Sequence, residues 1–266
     1  MKATMSGFDL RAVARELNEY SGAYVKKAYM PHYEQIVLRI NPKDIDQFDL
    51  VLVRGARIYT SNRDRPMPMS PPPFAMVLRK HLKNARMTGV RQLGFDRVLC
   101  FNFDTKFGQY HLYVEVFRDG NIILTDAEDT IIQPLTHASY AGRTLKKGVT
   151  YQPPPPAMDP HEIELEHLTE MFESSDRDLV STLGGKVNLG GTHANAVCAL
   201  AGMEANIDTQ VADTQKVHTA LKSLLTDLAE SQEGYLLLKP DKENSNEELE
   251  TQAASHEPNG KRDRFF

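Results

Sequence analysis

Four consecutive prolines, Pro153–Pro156, constrain this chain more than any other feature. Proline fixes φ near −65° and has no backbone N–H, so the run fits neither a helix interior nor a central strand and acts as a stiff extended spacer. It also separates two patterns. Before it, apolar residues fall in short runs bounded by Gly, Asp and Pro, as strands require; after it they recur every three or four residues, as helices require. The chain therefore reads as α+β: an antiparallel, β-rich domain with flanking helices over 1–152, then a helical domain over 153–238. Residues 239–266 read as an acidic, disordered tail, too poor in apolar residues to fold alone. Its Arg264-Phe265-Phe266 ending reads as an interruption of a longer chain.

Within the first part, Ser6 is placed to cap a helix over 6–21, with Asp9 completing a capping box, Leu10, Val13 and Leu17 on one face, and Gly22 ending it. Strands are expected at 35–40, 49–53 and 56–61, the last two turning around Gly55. A Pro- and Met-rich loop over 66–73 leads into a helix over 74–86. Phe74, Leu78 and Leu82 form its buried stripe, leaving Arg79, Lys80, Lys83 and Arg86 toward solvent. Two more strands follow at 98–103 and 110–117, with Asp119-Gly120 as a two-residue hairpin turn into 121–125. Beyond the prolines, Asp159-Pro160-His161-Glu162 opens a helix carrying Leu165, Leu168 and Phe172. Short helices at 177–183 and 192–200 flank Gly190-Gly191, and Val217, Leu221, Leu224, Leu225 and Leu228 mark a longer final helix.

Charge divides as sharply as periodicity. The chain's net charge is −5, yet residues 1–150 hold 22 Lys and Arg against 15 Asp and Glu, while residues 151–266 hold 9 against 21. A polyanion is steered to the first part and repelled by much of the second. Within 71–93 every charged residue is basic: Arg79, Lys80, Lys83, Arg86 and Arg91. Solvated faces usually mix signs, so this bias favours phosphate contacts. Asp96-Arg97 follows, and has two readings. It is a strand-end salt bridge, or the guanidinium meets a phosphate or base edge while the carboxylate orients it or accepts from a base. Asp9 likewise either caps its helix and does nothing more, or also meets a ligand.

Several chemistries find no support. Cys100 and Cys198 make neither a disulfide framework nor a zinc site, and the nine His lack metal-ligand spacing, so no metal and no cofactor is expected. There is no Gly-x-Ser-x-Gly elbow and no Cys/His signature, which argues against an enzyme and against a small-molecule substrate. Gly184-Gly185 and Gly190-Gly191 match neither a Walker loop nor G-x-G-x-x-G. They read as a helix–turn–helix elbow that presents backbone N–H groups to phosphate, or as a close helix crossing. No apolar run approaches the roughly 18 residues of a membrane span, and the N-terminus lacks a signal peptide's apolar region, so a cytoplasmic protein is expected.

Four segments carry a resemblance. They are Met5-Ser-Gly-Phe-Asp9; Pro72-Pro-Phe-Ala-Met-x-Leu-Arg-Lys-x-Leu82; Gln92-x-Gly-x-Asp96-Arg97-x-Leu-x-Phe101; and Glu115-x-Phe-x-x-Gly-Asn-Ile-Ile-Leu-Thr-Asp126. In this order they resemble the N-terminal part of the NFACT family, the ribosome quality-control factors that include RqcH and NEMF, also described as fibronectin-binding-like. Segment 183–203 is similar to the family's helix-hairpin-helix part. The resemblance implies a tRNA-binding factor that joins the large ribosomal subunit still carrying peptidyl-tRNA and recruits aminoacyl-tRNA for C-terminal tailing without mRNA. In bacteria and archaea it implies tRNA-Ala. Peptide-bond chemistry would remain the ribosome's. The family's functional residues fall here on Asp9, Asp96 and Arg97. Its first domain resembles the formamidopyrimidine-DNA glycosylase fold, which supplies a rival reading as a DNA- or RNA-binding relative of those enzymes. Their N-terminal Pro-Glu nucleophile is replaced here by Met1-Lys2-Ala3. A fibronectin-binding surface protein is the third reading, and the sequence shows no export signal for it.

Overall fold

The computed structural model describes residues 4–140 and 142–230. The acidic tail expected over 239–266 and the Met1-Lys2-Ala3 start lie outside them. The chain begins with α1 (Gly7–Asn18), followed by β1 (Tyr24–His32), β2 (Gln35–Asn41), β3 (Phe48–Val53) and β4 (Arg57–Ser61). After α2 (Pro73–Leu82) come β5 (Arg86–Gln92), β6 (Val98–Thr105), β7 (Gly108–Glu115), β8 (Ile122–Asp126) and β9 (Ile131–Pro134). These nine strands form one antiparallel sheet in the order β4-β3-β2-β1-β5-β6-β7-β8-β9. The seam between its halves is narrow: β1 and β5 share a single register pair, Tyr24↔Arg86. The halves fold over a common core in which Leu38 and Leu50 of one and Phe101 and Leu112 of the other pack with Leu10 of α1 and Leu78 of α2.

Three expectations are corrected. Helix α2 stops at Leu82, because Lys83 turns extended and Asn84 takes φ 58°. Arg86 and Arg91 therefore sit on a strand, β5, and not on the helix or directly after it. In β5 the buried Met87 and Val90 are three residues apart, a helix-like spacing produced by a register shift between Met87 and Gly89. The turn before β8 is centred on Arg118-Asp119, with the Gly120 N–H donating to Phe117 O at 2.7 Å. Gly120 is required beyond the turn, since a Cβ there would lie 2.1 Å from Glu115 O. Gly120→Ala is expected to cost more than about 2 kcal/mol in urea unfolding, because that oxygen belongs to backbone and cannot swing away. Finally, Asp159 caps a short 3-10 turn, Pro160–Glu162, separated from the next helix.

A hairpin of β10 (Ala138–Tyr140) and β11 (Arg143–Leu145) leads toward the prolines. It packs on the sheet's second face with Val98, Cys100, Tyr113, Ile123 and Tyr151. Buried at this junction is Glu115, fully excluded from solvent. Its Oε1 accepts from Arg143 Nη2 at 2.5 Å and from the Tyr151 hydroxyl at 3.1 Å, while Oε2 has no partner among the described residues. Burial holds this carboxyl above the ordinary glutamate range, with Arg143 pulling the other way.

Beyond the prolines stand α3 (Leu165–Glu173), α4 (Leu179–Gly185), α5 (Gly190–Leu200) and α6 (Thr214–Glu230). Their shared core holds Leu168, Phe172, Leu183, Val197 and Leu221, and also Phe8 and Phe95 from the β-rich part. Among the described residues no helix is long and apolar enough to cross a membrane.

Candidate nucleic-acid interface

The start of α1 is fixed by the capping box read from the sequence. The Ser6 N–H and hydroxyl donate to Asp9 Oδ2 at 2.6 and 2.8 Å, and the Asp9 N–H donates to Ser6 Oγ at 3.2 Å. A carboxylate in the first turn also suits the helix dipole. Asp9→Ala is accordingly expected to cost about 0.5–2 kcal/mol of stability, measured by denaturant unfolding.

Gln92, at the end of β5, ties this helix start to the Asp96 turn. Its Nε2 donates both to Gly7 O at 3.0 Å and to Asp96 O at 2.8 Å, and its Oε1 accepts from Arg11 Nε at 3.2 Å. The turn itself closes through the Asp96 N–H to Leu93 O at 3.0 Å, around Gly94 at φ 57°. Asp9, Asp96 and Arg97 thus come from two elements that one side chain brings together.

Asp96 and Arg97 do not form a salt bridge among the described residues. The partly buried Asp96 instead accepts from the Ala157 N–H at 3.2 Å, fastening the chain just past the tetraproline. Burial raises its carboxyl above the ordinary aspartate range, opposed by that N–H and by the Arg97 charge. Among the described residues Arg97 is anchored by its backbone alone, whose carbonyl accepts from the Val116 N–H at 2.7 Å, and its side chain is exposed. A fixed backbone with an open guanidinium can meet a phosphate or base edge with both arms of the fork.

Sequence reasoning missed the residues that lock this corner. Arg11 reaches Asp159 Oδ2 at 2.9 Å and His161 Nδ1 at 3.0 Å, and stands 4.8 Å from the Phe95 ring centroid. Phe8 meets Phe95 edge-to-face at 4.7 Å and His193 in a tilted contact at 4.5 Å, centroid to centroid. A signal was present: Phe8 and Arg11 flank Asp9 on a helix whose core face was already filled by Leu10, Val13 and Leu17.

Most of the basic residues lie elsewhere. Lys80, Lys83, Arg86 and Arg91 are exposed, but Arg79 is half-buried, its Nε donating to Ala28 O at 2.7 Å. Arg86 faces Asp104 of β6 at 3.5 Å. The expected continuity between a basic helix and Asp96-Arg97 is broken by β5. From Arg86 to Gln92 this strand makes six rises of about 3.3 Å, so roughly 20 Å separates the end of α2 from the Asp96-Arg97 turn, and of the basic residues Arg91 alone stands at the turn's end of β5. The glycine elbow has the geometry of a close crossing: a Cβ on Gly184 would lie 3.6 Å from the Gly190 backbone. Among the described residues no group of three or more His, Cys, Asp or Glu could hold a metal ion.

Residues 6–264 match the family model for the NFACT N-terminal and middle domains. The archaeal Rqc2 homolog aRqcH of Methanocaldococcus jannaschii is 31% identical over 251 residues, covering 90% of this chain and 37% of the relative. The ribosome quality control complex subunit NEMF of Homo sapiens is 36% identical over 181 residues, covering 66% of this chain and 17% of the relative. The chain therefore spans well under half the length of these curated relatives. Among solved structures, the N-terminal part of the fibronectin/fibrinogen-binding protein of Streptococcus suis superposes with a TM-score of 0.65 at 26% identity, over 82% of this chain and 85% of that one. The fibrinogen-binding protein of Staphylococcus aureus gives 0.68 at 18% identity, over 84% and 82%. A formamidopyrimidine-DNA glycosylase of Lactococcus lactis reaches only 0.42 at 12% identity, over 85% and 79%, too distant to carry an argument. With its family match running almost from end to end, the chain belongs to the NFACT family.

Proposed function

We propose that this chain is the tRNA-binding part of a cytoplasmic ribosome quality control factor. In this reading the whole protein binds an obstructed large ribosomal subunit carrying peptidyl-tRNA and recruits aminoacyl-tRNA, tRNA-Ala in particular, for C-terminal tailing without mRNA. The chain positions RNA and does no covalent chemistry, leaving peptide-bond formation to the ribosome. The observation that carries the reading is the Arg97 guanidinium, exposed on a turn that Gln92 and Ala157 hold in place beside the capped start of α1. The names of the relatives support the ribosomal context.

Cross-linking in cells followed by sequencing of the RNA that co-purifies tests it. Enrichment of one tRNA species is the expected result, and RNA at background level rejects the reading. The name of the S. suis protein favours a second reading, in which the chain binds fibronectin or fibrinogen. Saturable capture of immobilised fibronectin by a chain that enriches no tRNA would support that one instead.

A further inference from the structure

Lys26 and Lys27 are adjacent in sequence yet both exposed, while Val25 and Ala28 on either side of them are buried. A regular strand sends neighbouring side chains to opposite faces, so this order requires one extra residue in the strand. The pairing of β1 with β2 supplies it, stepping from Val25↔Ile40 to Lys27↔Arg39 and leaving Lys26 bulged. The bulge puts both lysines on the exposed side of β1. Facing them is the end of α2: Lys26 and Lys27 line one wall of a cleft of about 330 Å³, and Arg79 and Lys83 line the other.

Arg79 is held for binding. With Nε committed to Ala28 O, its Nη groups donate to nothing among the described residues, and its guanidinium stands 5.4 Å from the Tyr29 ring centroid. Lys27 Nζ stands 5.2 Å from the centroid of the same ring, so one aromatic ring steadies cations from both walls. No carboxylate lines the cleft, and among the described residues no ion pair neutralises these four cations. Four like charges converging without a counter-charge repel one another, and a polyanion relieves that repulsion.

We propose that this cleft seats the phosphodiester backbone of a structured RNA, as a second contact roughly 20 Å from the Arg97 turn, one length of β5 away. The inference rests on the RNA-binding reading above and adds to it a place, two residues of β1 and a spacing. A flat anionic bilayer meets the rim of such a cleft, whereas a nucleic-acid strand can enter and touch both walls.

The test is binding of an unmodified tRNA transcript to the 266-residue chain, followed by fluorescence anisotropy across a salt series. Lys26→Gln/Lys27→Gln is compared with Lys146→Gln/Lys147→Gln, another adjacent exposed pair with the same change of charge. The first variant is expected to lose about tenfold or more in affinity and about 1–2 in log–log salt slope, with an unchanged melting curve. The second is expected to keep both, and Lys83→Gln on the opposite wall should weaken binding in the same direction as the first. Equal losses in both lysine pairs would mean bulk charge alone and overturn the site, as would wild-type affinity in Lys26→Gln/Lys27→Gln. Lost binding in Arg97→Ala together with intact binding in that variant rejects the cleft and leaves the proposed function standing. No tRNA binding by the unaltered chain rejects both. Binding to phosphatidylserine vesicles that depends on Lys26 and Lys27, with tRNA affinity unchanged, reassigns the cleft to lipid and overturns the proposal.

Discussion

On the proposed function, Arg97→Ala in the full-length protein is expected to abolish tail synthesis while leaving stability within about 0.5 kcal/mol and large-subunit association intact. The split follows from the geometry. What Arg97 gives the fold is its carbonyl, bonded to the Val116 N–H, and that survives truncation of an exposed side chain. Arg97→Lys sharpens the result, because lysine keeps the charge and loses the planar fork. Bidentate recognition predicts loss of tailing in the lysine variant, and a simple charge requirement predicts near-normal tails. Asp96→Ala should behave differently, since it also releases Ala157 and with it the chain leaving the prolines. Its tailing defect should come with lowered stability. Tail length on gels, in cells lacking the native protein, is the measurement, and wild-type tails from Arg97→Ala would reject the assignment.

Glu115→Ala should produce the largest loss of stability, about 3–5 kcal/mol and on the order of 10 °C in melting temperature. Truncation leaves the Arg143 guanidinium and the Tyr151 hydroxyl buried without their shared acceptor. Glu115→Gln should be milder, because burial already favours the uncharged carboxyl. The sign of the pH dependence follows. A carboxyl whose folded pKa is raised contributes most below its unfolded value near 4.5 and loses that contribution as pH rises through the folded value. Wild type should therefore lose stability relative to Glu115→Gln as pH climbs over that interval, as read by urea midpoints. A gap between the two that is constant with pH would show that Glu115 titrates alike in both states.

The elements most legible in sequence were those whose cause is local. Ser6 and Asp9 lie three residues apart, and their reciprocal bonds depend on nothing distant, so the cap could be read directly. β2, β3 and β6 show dense apolar runs and read as strands. β1 does not read as one, because its bulge spoils the alternation and Lys26-Lys27 and Pro31 look like loop. Residues 87–92 carry no clear strand signal, because the register shift puts Met87 and Val90 at helical spacing and spoils the alternation. Placing Arg86 at the end of the helix joins the basic residues to Asp96-Arg97 as one surface, when a strand's length lies between the end of α2 and that turn. The Gln92 bridge was out of reach for a different reason: it joins residues some 85 positions apart, and nothing in local pattern records such a contact.

Phe8 and Phe95, threaded into the helical core, bind the fate of the two halves together. Severing the chain at the prolines would not release two self-sufficient units. The C-terminal piece would lose two walls of its interior, and the N-terminal piece would carry two bared aromatic rings with nothing to cover them. Melting should accordingly pass through one cooperative transition despite the change of architecture at Pro153.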